Sequence, residues 1–382
     1  MALPDTTFYV PPGRGSCPTN RTLPNNFPFP QPFISPGCFY HMNIKLSVLD
    51  QTPVRKNETA ADSLAESLEL AALTDKLGYT RYWLSEHHNT LTLANAAPEI
   101  LLARLGAVTQ NIRLGSGGIM LPNHSSLKMA ENFKLLEALY PNRIDMGIGR
   151  APGTDRATAQ LLNPSNTFNP QEYVQQLKEL QAFFNNDPIS ENMFGKIRAI
   201  PNIETQPVMW ALTSSGESAY IAAHFGMGLS YAQFINPIGG AQAIRQYEER
   251  FVPSQQLAEP ISNVGIFAFC SKSEQKVEEA IALMQYRFLS FEKGEFDKFY
   301  SYNDIKDYEY TEGEKQRLLF HQNRFIAGTP QTIKPQLEQL ARQMGTNEIV
   351  VATFADSRED RLNSYELLAR LFINPVNPLS DL

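Results

Sequence analysis

From residue 43 onward the apolar positions alternate between two rhythms. "NIKLSVLD" (43–50) is a short, mostly apolar run of the kind found in a buried strand. "AADSLAESLELAALTDKLG" (60–78) repeats its apolar positions every three or four residues and stops at a glycine, which predicts an amphipathic helix. The pairing recurs as strand "RYWLS", helix "AAPEILLARLGAVTQ", strand "IRLGSGGIML", helix "SLKMAENFKLLEALY" and strand "RIDMGIG". It continues with "VMWALTS" before "GESAYIAAHFG", "GLSYA" before "GGAQAIRQYEERF", "NVGIFAFC" before "SEQKVEEAIALMQYRF", and "NEIVVATF" before "RLNSYELLARLF". Eight strands with intervening helices predict one α/β domain over residues 42–382, a (β/α)8 TIM barrel, since a doubly wound sheet rarely needs so many repeats. Residues 290–325, polar and aromatic, form an insertion before the last unit, either a lid or a solvated excursion.

Residues 1–41 keep neither rhythm and hold 9 of the 26 prolines, so they are not expected to pack as a domain. They lack the basic start, continuous apolar stretch and small-residue cleavage site of a signal peptide. His41-Met42 is what the cloning-site codons CATATG would encode, so the segment is read as a disordered, vector-encoded leader with Met42 as the native start.

Composition narrows the functional classes. The 382 residues are 42% apolar and 19% charged, enough for one large domain. No run approaches 18 consecutive apolar residues, so no membrane span is expected. A net charge of −7 weighs against nucleic acid as a partner. Three cysteines, two of them in the leader, give no disulfide framework, and a cytoplasmic location fits.

In a barrel of this kind function gathers at the C-terminal ends of the strands. The candidates there are Leu49 and Asp50, Glu86 to His88, Gly117 to Leu121, Gly149 to Gly153, Thr213 to Gly216, Tyr231 to Phe234, and Thr353. The pair His87-His88 admits three readings: a metal site, a solvated strand end, or one imidazole aimed into a pocket as a general base. Metal is disfavoured, because adjacent strand residues face opposite ways and neither the HExxH nor the His-x-His spacing is present. The turn "TSSGES" (213–218) joins a strand to a helix and offers Ser214, Ser215 and Gly216 either as a phosphate cradle or as an ordinary serine cap. Arg150 in "GIGRAPG" is either a phosphate partner or a structural ion-pair partner. Gly117 and Gly118 allow a strained turn or the close approach of a flat ring.

The motifs "WLSEHHNT", "LGSGGIMLPNHSSLKMAE", "RIDMGIGRAPG", "MWALTSSGESAYIAAHFGMGLS" and "FIAGTP", in this order and spacing, resemble the bacterial luciferase-like flavin-dependent monooxygenases over residues 42–375. The single-chain oxidoreductases of that family are the nearer match. The resemblance implies a (β/α)8 barrel that binds FMN in reduced form and uses O2 to oxygenate a small aldehyde- or ketone-like substrate. It places the catalytic histidine at His87, the phosphate turn at Ser214, Ser215 and Gly216, the phosphate arginine at Arg150, and a non-prolyl cis peptide under the flavin at Gly117-Gly118. Leu49 and Asp50, at the end of the first strand, join this set as cofactor contacts. No metal is implied. The reactive cysteine of true luciferases is Gly149 here, and their second phosphate arginine has no counterpart after "APGTD", which argues against light emission from a long-chain aldehyde. No nicotinamide-binding signature is present, so a separate flavin reductase is the expected source of reduced FMN. A homodimer through helices at 95–109 and 125–139 is also expected. Three rival functions stay open: an F420-dependent oxidoreductase of the same superfamily, a non-catalytic flavin-binding protein, and a metal-dependent barrel hydrolase.

Overall fold

A computed structural model describes residues 43–165, 167, 169–187 and 197–375. The expected leader lies outside the described residues. Nine strands form one parallel sheet: β1 (Lys45–Asp50), β2 (Arg81–Leu84), β3 (Arg113–Met120), β4 (Ile144–Gly149), β5 (Val208–Thr213), β6 (Gly228–Ala232), β7 (Ser262–Cys270), β8 (Phe325–Gly328) and β9 (Glu348–Ala352). Strands β1 to β7 follow one another around a ring that β9 closes between β7 and β1. The eight predicted strands are therefore the barrel. The ninth, β8, pairs with the upper part of β7 alone, from Phe267 opposite Phe325 to Cys270 opposite Gly328. It carries the motif "FIAGTP" and was not expected as a strand, because four residues hold too little periodicity to register.

Local chemistry explains the outer layer. Helix α1 (Ala60–Leu77) begins at a capping box, in which Thr59 and Asp62 satisfy each other's backbone N–H, and ends at Gly78 in the left-handed conformation (φ 87°). Its buried Leu70 and Ala71 join one continuous core between strands and helices. Helix α2 (Pro98–Gly106) starts on a proline and α3 (Ser126–Leu139) on a Ser125 cap. Helices α4 (Arg156–Leu162) and α5 (Pro170–Asn185) follow β4, where no helix was expected. Yet α5 buries Tyr173, Leu177, Leu180 and Phe184, a helical spacing that was present in the sequence. Helices α6 (Glu217–Phe225) and α7 (Gly240–Arg250) follow β5 and β6, and α8 (Glu274–Glu292) follows β7. The short α9 (Tyr302–Ile305) and α10 (Glu312–His321) make up much of the insertion, and α11 (Pro330–Met344) and α12 (Arg358–Phe372) complete the ring.

Inside the barrel the side chains are stacked in layers. At the floor, Arg81 grips Glu348 through two bonds (2.6 and 3.0 Å) and Asp145 through a third (2.8 Å). Above it lies an aromatic and apolar layer that includes Leu49, Trp83, Trp210 and Phe267. Met284 and Phe288 of α8 belong to the same layer, so α8 crosses the barrel mouth rather than only lining its wall. The insertion is fastened to the loops that follow β1, β2 and β9. Lys56 pairs with Asp304, the Leu91 N–H donates to Asp297 (2.8 Å), and the Tyr302 N–H donates to Asp356 (3.0 Å).

Candidate active site

The mouth is built around a carboxylate, Glu86, that the strand-end reading listed but gave no role. Glu86, one residue beyond the end of the β2 loop junction at Ser85, is fully buried. Its Oε1 lies 2.8 Å from His88 Nε2 and 2.9 Å from His124 Nε2, and its Oε2 accepts the Met120 N–H at 2.8 Å. Burial alone would raise its pKa, but the bonds to His124 and His88 outweigh that and hold it at about 2. The same contact raises the pKa of His124 against the opposing effect of burial. Glu86 thus ties the end of β2 to the end of β3, and His88 is spent on that tie.

His87 is different. Its backbone N–H donates to the Asn95 carbonyl (3.2 Å), while Asn95 Nδ2 donates to the Ser85 carbonyl (3.0 Å), so the loop is pinned on both sides of the residue. Its Nε2 is buried and has no hydrogen-bond partner among the described residues. Burial pushes its pKa down to about 4, with the Glu86 charge only partly opposing this. At neutral pH the ring is therefore uncharged, held in place, and has one nitrogen free for a proton. The hydroxyl of Ser85, nearby on the same strand end, is likewise buried without a partner.

On the other side of the mouth the structure brings Arg150 to the "TSSGES" turn. Arg150 Nη1 lies 2.7 Å from Glu217 Oε2, the first residue of α6. The turn itself is rigid: Thr213 Oγ1 accepts the Ser215 N–H (3.0 Å) and donates to the Ser215 carbonyl (2.6 Å), and Asn236 Nδ2 donates to the Ser214 carbonyl (2.9 Å). Gly216 occupies the cap position of α6, and no side chain bonds the first-turn N–H groups there. Arg150 and Glu217 line a cleft of about 660 Å³ that runs along α5 past Tyr173 and Gln176. Gln176 Nε2 donates to the carbonyls of Leu121 and His124 (3.2 and 2.9 Å), which links the cleft to the Glu86 cluster.

The remaining predicted residues fall less simply. The peptide bond Gly117-Gly118 is cis, and the β3–β4 register shifts there. A Cβ on Gly117 would come within 2.7 Å of Leu49 Cδ1, and one on Gly118 would meet Leu212 and the Gly147 carbonyl (2.8 Å). These glycines are thus required by the close packing of the protein's own side chains, and Leu49 is one of them. Asp50 is corrected outright as a cofactor contact. Leu49 faces the barrel interior, so by strand alternation Asp50 faces the helices. There its Oδ1 accepts from Arg361 Nη2 (2.7 Å) and the Thr52 N–H (2.7 Å), and its Oδ2 from Ser67 Oγ (2.5 Å) and Tyr82 Oη (2.6 Å). Burial would raise its pKa, but the Arg361 guanidinium holds it below the usual range. No oxygen is left for a ligand. Among the described residues no group of three or more His, Cys, Asp or Glu side chains is arranged to hold a metal ion.

A family profile described as luciferase-like monooxygenase matches residues 42–348. The chain is 40% identical over 330 residues to the Bacillus subtilis (strain 168) protein YwcH, covering 86% of this chain and 99% of that one. It is 33% identical over 325 residues to the luciferase-like monooxygenase of Escherichia coli (strain K12), covering 85% and 96%. The crystal structure of apo-MsnO8 superposes with a TM-score of 0.79 at 34% identity, over 86% of this chain and 98% of that one. Two more distant structures share the barrel alone. One is the oxygenating constituent of 3,6-diketocamphane monooxygenase from Pseudomonas putida in complex with FMN (TM-score 0.63, 14% identity, 88% and 99% covered). The other is an F420-dependent secondary alcohol dehydrogenase (TM-score 0.65, 12% identity, 86% and 99% covered).

Proposed function

Because the chain belongs to the luciferase-like monooxygenase family, we propose that it is an FMN-dependent monooxygenase, which takes reduced flavin and O2 and oxygenates a small organic substrate of aldehyde or ketone type. The observation that carries this reading is the meeting of Arg150 with Glu217, 67 residues later, at an amino end of α6 that no side chain caps, with both residues lining one cleft. Arg150 would hold the phosphate of a bound flavin, and Glu217, its present partner, is exposed enough to give way. Reduced FMN, when bound, supplies the electrons by which one oxygen atom enters the substrate and the other leaves as water. The chain's own part is to hold, shield and move protons. Neutral His87 accepts or returns a proton at Nε2, and Glu86 keeps His88 and His124 from competing for that role. The aromatic layer and the crossing helix α8 exclude water from the chamber.

We further place the protein in the cytoplasm, as a homodimer served by a separate flavin reductase. Among the described residues no helix is long and apolar enough to cross a membrane. Support for the dimer comes from α2 and α3, which leave Ile100, Leu135 and Leu139 more than half exposed. Light scattering that gives a monomer at micromolar concentration would remove the dimer.

The experiment for the cofactor is an anaerobic titration with FMN, riboflavin and F420. FMN is expected to bind more tightly than riboflavin. Arg150→Ala should weaken FMN alone, by about 1.5–3 kcal/mol for a charge-assisted hydrogen bond. Equal weakening of FMN and riboflavin, or preferential binding of F420, would reject the reading.

A further inference from the structure

Helix α8 lays a second cation over the barrel mouth, away from the Arg150 cleft. Arg287 follows Met284 by three residues and precedes Phe288, both members of the inner aromatic layer. Its guanidinium sits 4.8 Å from the ring centre of Phe354, and the Phe354 ring in turn packs edge-on to Phe267 at 5.5 Å. A guanidinium carries five donor N–H groups in a planar fork suited to a carboxylate. Three buried arginines of the barrel and its upper rim spend that fork on carboxylates. Arg81 holds Asp145 and Glu348, Arg55 holds Glu66 and Glu58, and Arg361 holds Asp50 and Glu66. Arg287 has no hydrogen bond and no ion pair with any described residue. Asp356 is the acid nearest in electrostatic effect, but it is exposed, lies beyond ion-pair distance and takes the Tyr302 N–H instead. Arg55, the other charge that Arg287 feels, repels it.

We propose that Arg287 is the anchor for an anionic group of the carboxylate class on the organic substrate, with the apolar part of that substrate lying against Phe354, Phe267 and Phe288. The proposal rests on the mouth being the substrate chamber of the oxygenase described above. Burial, which the Asp356 charge offsets only in part and the Arg55 charge reinforces, pushes the Arg287 pKa down to about 10, and an incoming carboxylate would relieve that electrostatic cost. A neutral substrate in the same chamber would leave the cation facing apolar surface. Arg324 does not compete for the role, because its Nε donates to the Phe234 carbonyl (2.6 Å) and its Nη1 to His321 Nδ1 (2.7 Å).

The test is a calorimetric titration of the full chain with straight-chain alkanoates of increasing length, each beside its alkanamide, which has the same shape and no charge. At least one alkanoate should bind about ten- to a hundred-fold more tightly than its amide, the range for a charge-assisted contact. Arg287→Met should erase that ratio while leaving the amide and FMN affinities as they were, and Arg287→Lys should keep part of it. If no alkanoate exceeds its amide, or if the ratio survives in Arg287→Met, the proposal fails. If Arg287→Met instead weakens FMN as Arg150→Ala is expected to, Arg287 serves the flavin phosphate and the proposal is overturned. Should Arg287→Met not fold, the wild-type ratio and the Arg287→Lys ratio decide. The titrations need no flavin, so a failed FMN experiment and a failed alkanoate experiment remain distinguishable.

Discussion

At the floor of the barrel Arg81, Asp145 and Glu348 are buried, yet each of their charges is answered within the protein. Arg113 adds two bonds to Asp145, Trp83 Nε1 a third (3.1 Å), and Ser47 Oγ donates to Glu348 (2.7 Å). Two neutral atoms, Asn263 Oδ1 at the floor and Trp210 Nε1 in the layer above it, are left over, but every charge at the floor is answered. At the mouth the pattern reverses. Glu86 is satisfied, but His87 Nε2 and Ser85 Oγ are buried without partners and Arg287 faces aromatic rings. An unanswered buried polar group costs on the order of 1–3 kcal/mol, and at an open mouth, unlike a closed floor, something outside the chain can reach and complete it. The floor closes the barrel, and the mouth is held ready for ligands.

The contrast breaks first, and by the largest factor, at His87. A positioned general base contributes about 10²- to 10⁴-fold, so His87→Ala should lower single-turnover oxygenation by that order while reduced FMN still binds. Because Nε2 has no protein partner, the unfolding free energy should change by far less than the barrier does. His88→Ala should do the opposite, acting through stability by releasing Glu86. If rates are unchanged in His87→Ala, the pair is a strand end and nothing more.

Next comes the floor. Arg81→Met leaves the buried Glu348 without its cation and Asp145 with Arg113 alone, and removing one partner of a buried ion pair costs about 3–5 kcal/mol. Urea unfolding should show that loss, while the affinity for FMN in the surviving folded fraction is retained. A loss below about 1 kcal/mol would mean that the floor is hydrated, and the comparison would collapse.

How much of this could be read from sequence follows the range of the interactions. The barrel strands were legible because parallel strands are buried on both faces and so appear as short apolar runs between helices. Helix α5 was legible and overlooked, since Tyr173, Leu177, Leu180 and Phe184 fall at helical spacing. The outward direction of Asp50 was also legible, from strand alternation next to an inward Leu49. His124 was not. Only the parallel pairing of β2 with β3 brings it to Glu86, 38 residues earlier, and in the sequence it reads as one of several scattered histidines. Arg287 was illegible for the same reason: its spacing places it on a helix, but nothing local says that the helix crosses the mouth.

A pH titration sharpens the comparison further. The folded pKa of His87 is about 4, against the ordinary imidazole value of 6.5. Between these two values the unfolded chain binds a proton that the folded chain refuses, so stability falls as pH is lowered through that window and is unaffected by this group above it. The loss is about 2–3 kcal/mol once pH 4 is reached, taking one pKa unit as about 1.4 kcal/mol. His87→Gln should flatten the stability curve between pH 6.5 and 4. The depressed pKa of Glu86 acts in a lower window, giving stability that is present above about 4.5 and lost as pH falls towards 2. If His87→Gln and wild type lose stability in parallel from pH 6.5 to 4, the imidazole is not held neutral by burial.

The smallest effect separates two serines that look alike in the sequence. Ser47 and Ser85 both lie on the interior face, at the floor end and at the mouth end. Ser47 Oγ donates to the buried Glu348 carboxylate, so Ser47→Ala removes a bond to a charge and should cost about 1.5–3 kcal/mol. Ser85 Oγ has no partner, so Ser85→Ala takes away an unsatisfied hydroxyl and should change stability by no more than about 0.5 kcal/mol, in either direction. If Ser85 has a role, it belongs to the bound state: the alanine variant should then show its deficit only in substrate or flavin affinity, measured beside an unchanged unfolding curve. Equal destabilisation by the two alanines would show that a buried water completes Ser85 as firmly as Glu348 completes Ser47, and the mouth would then be no more open to ligands than the floor.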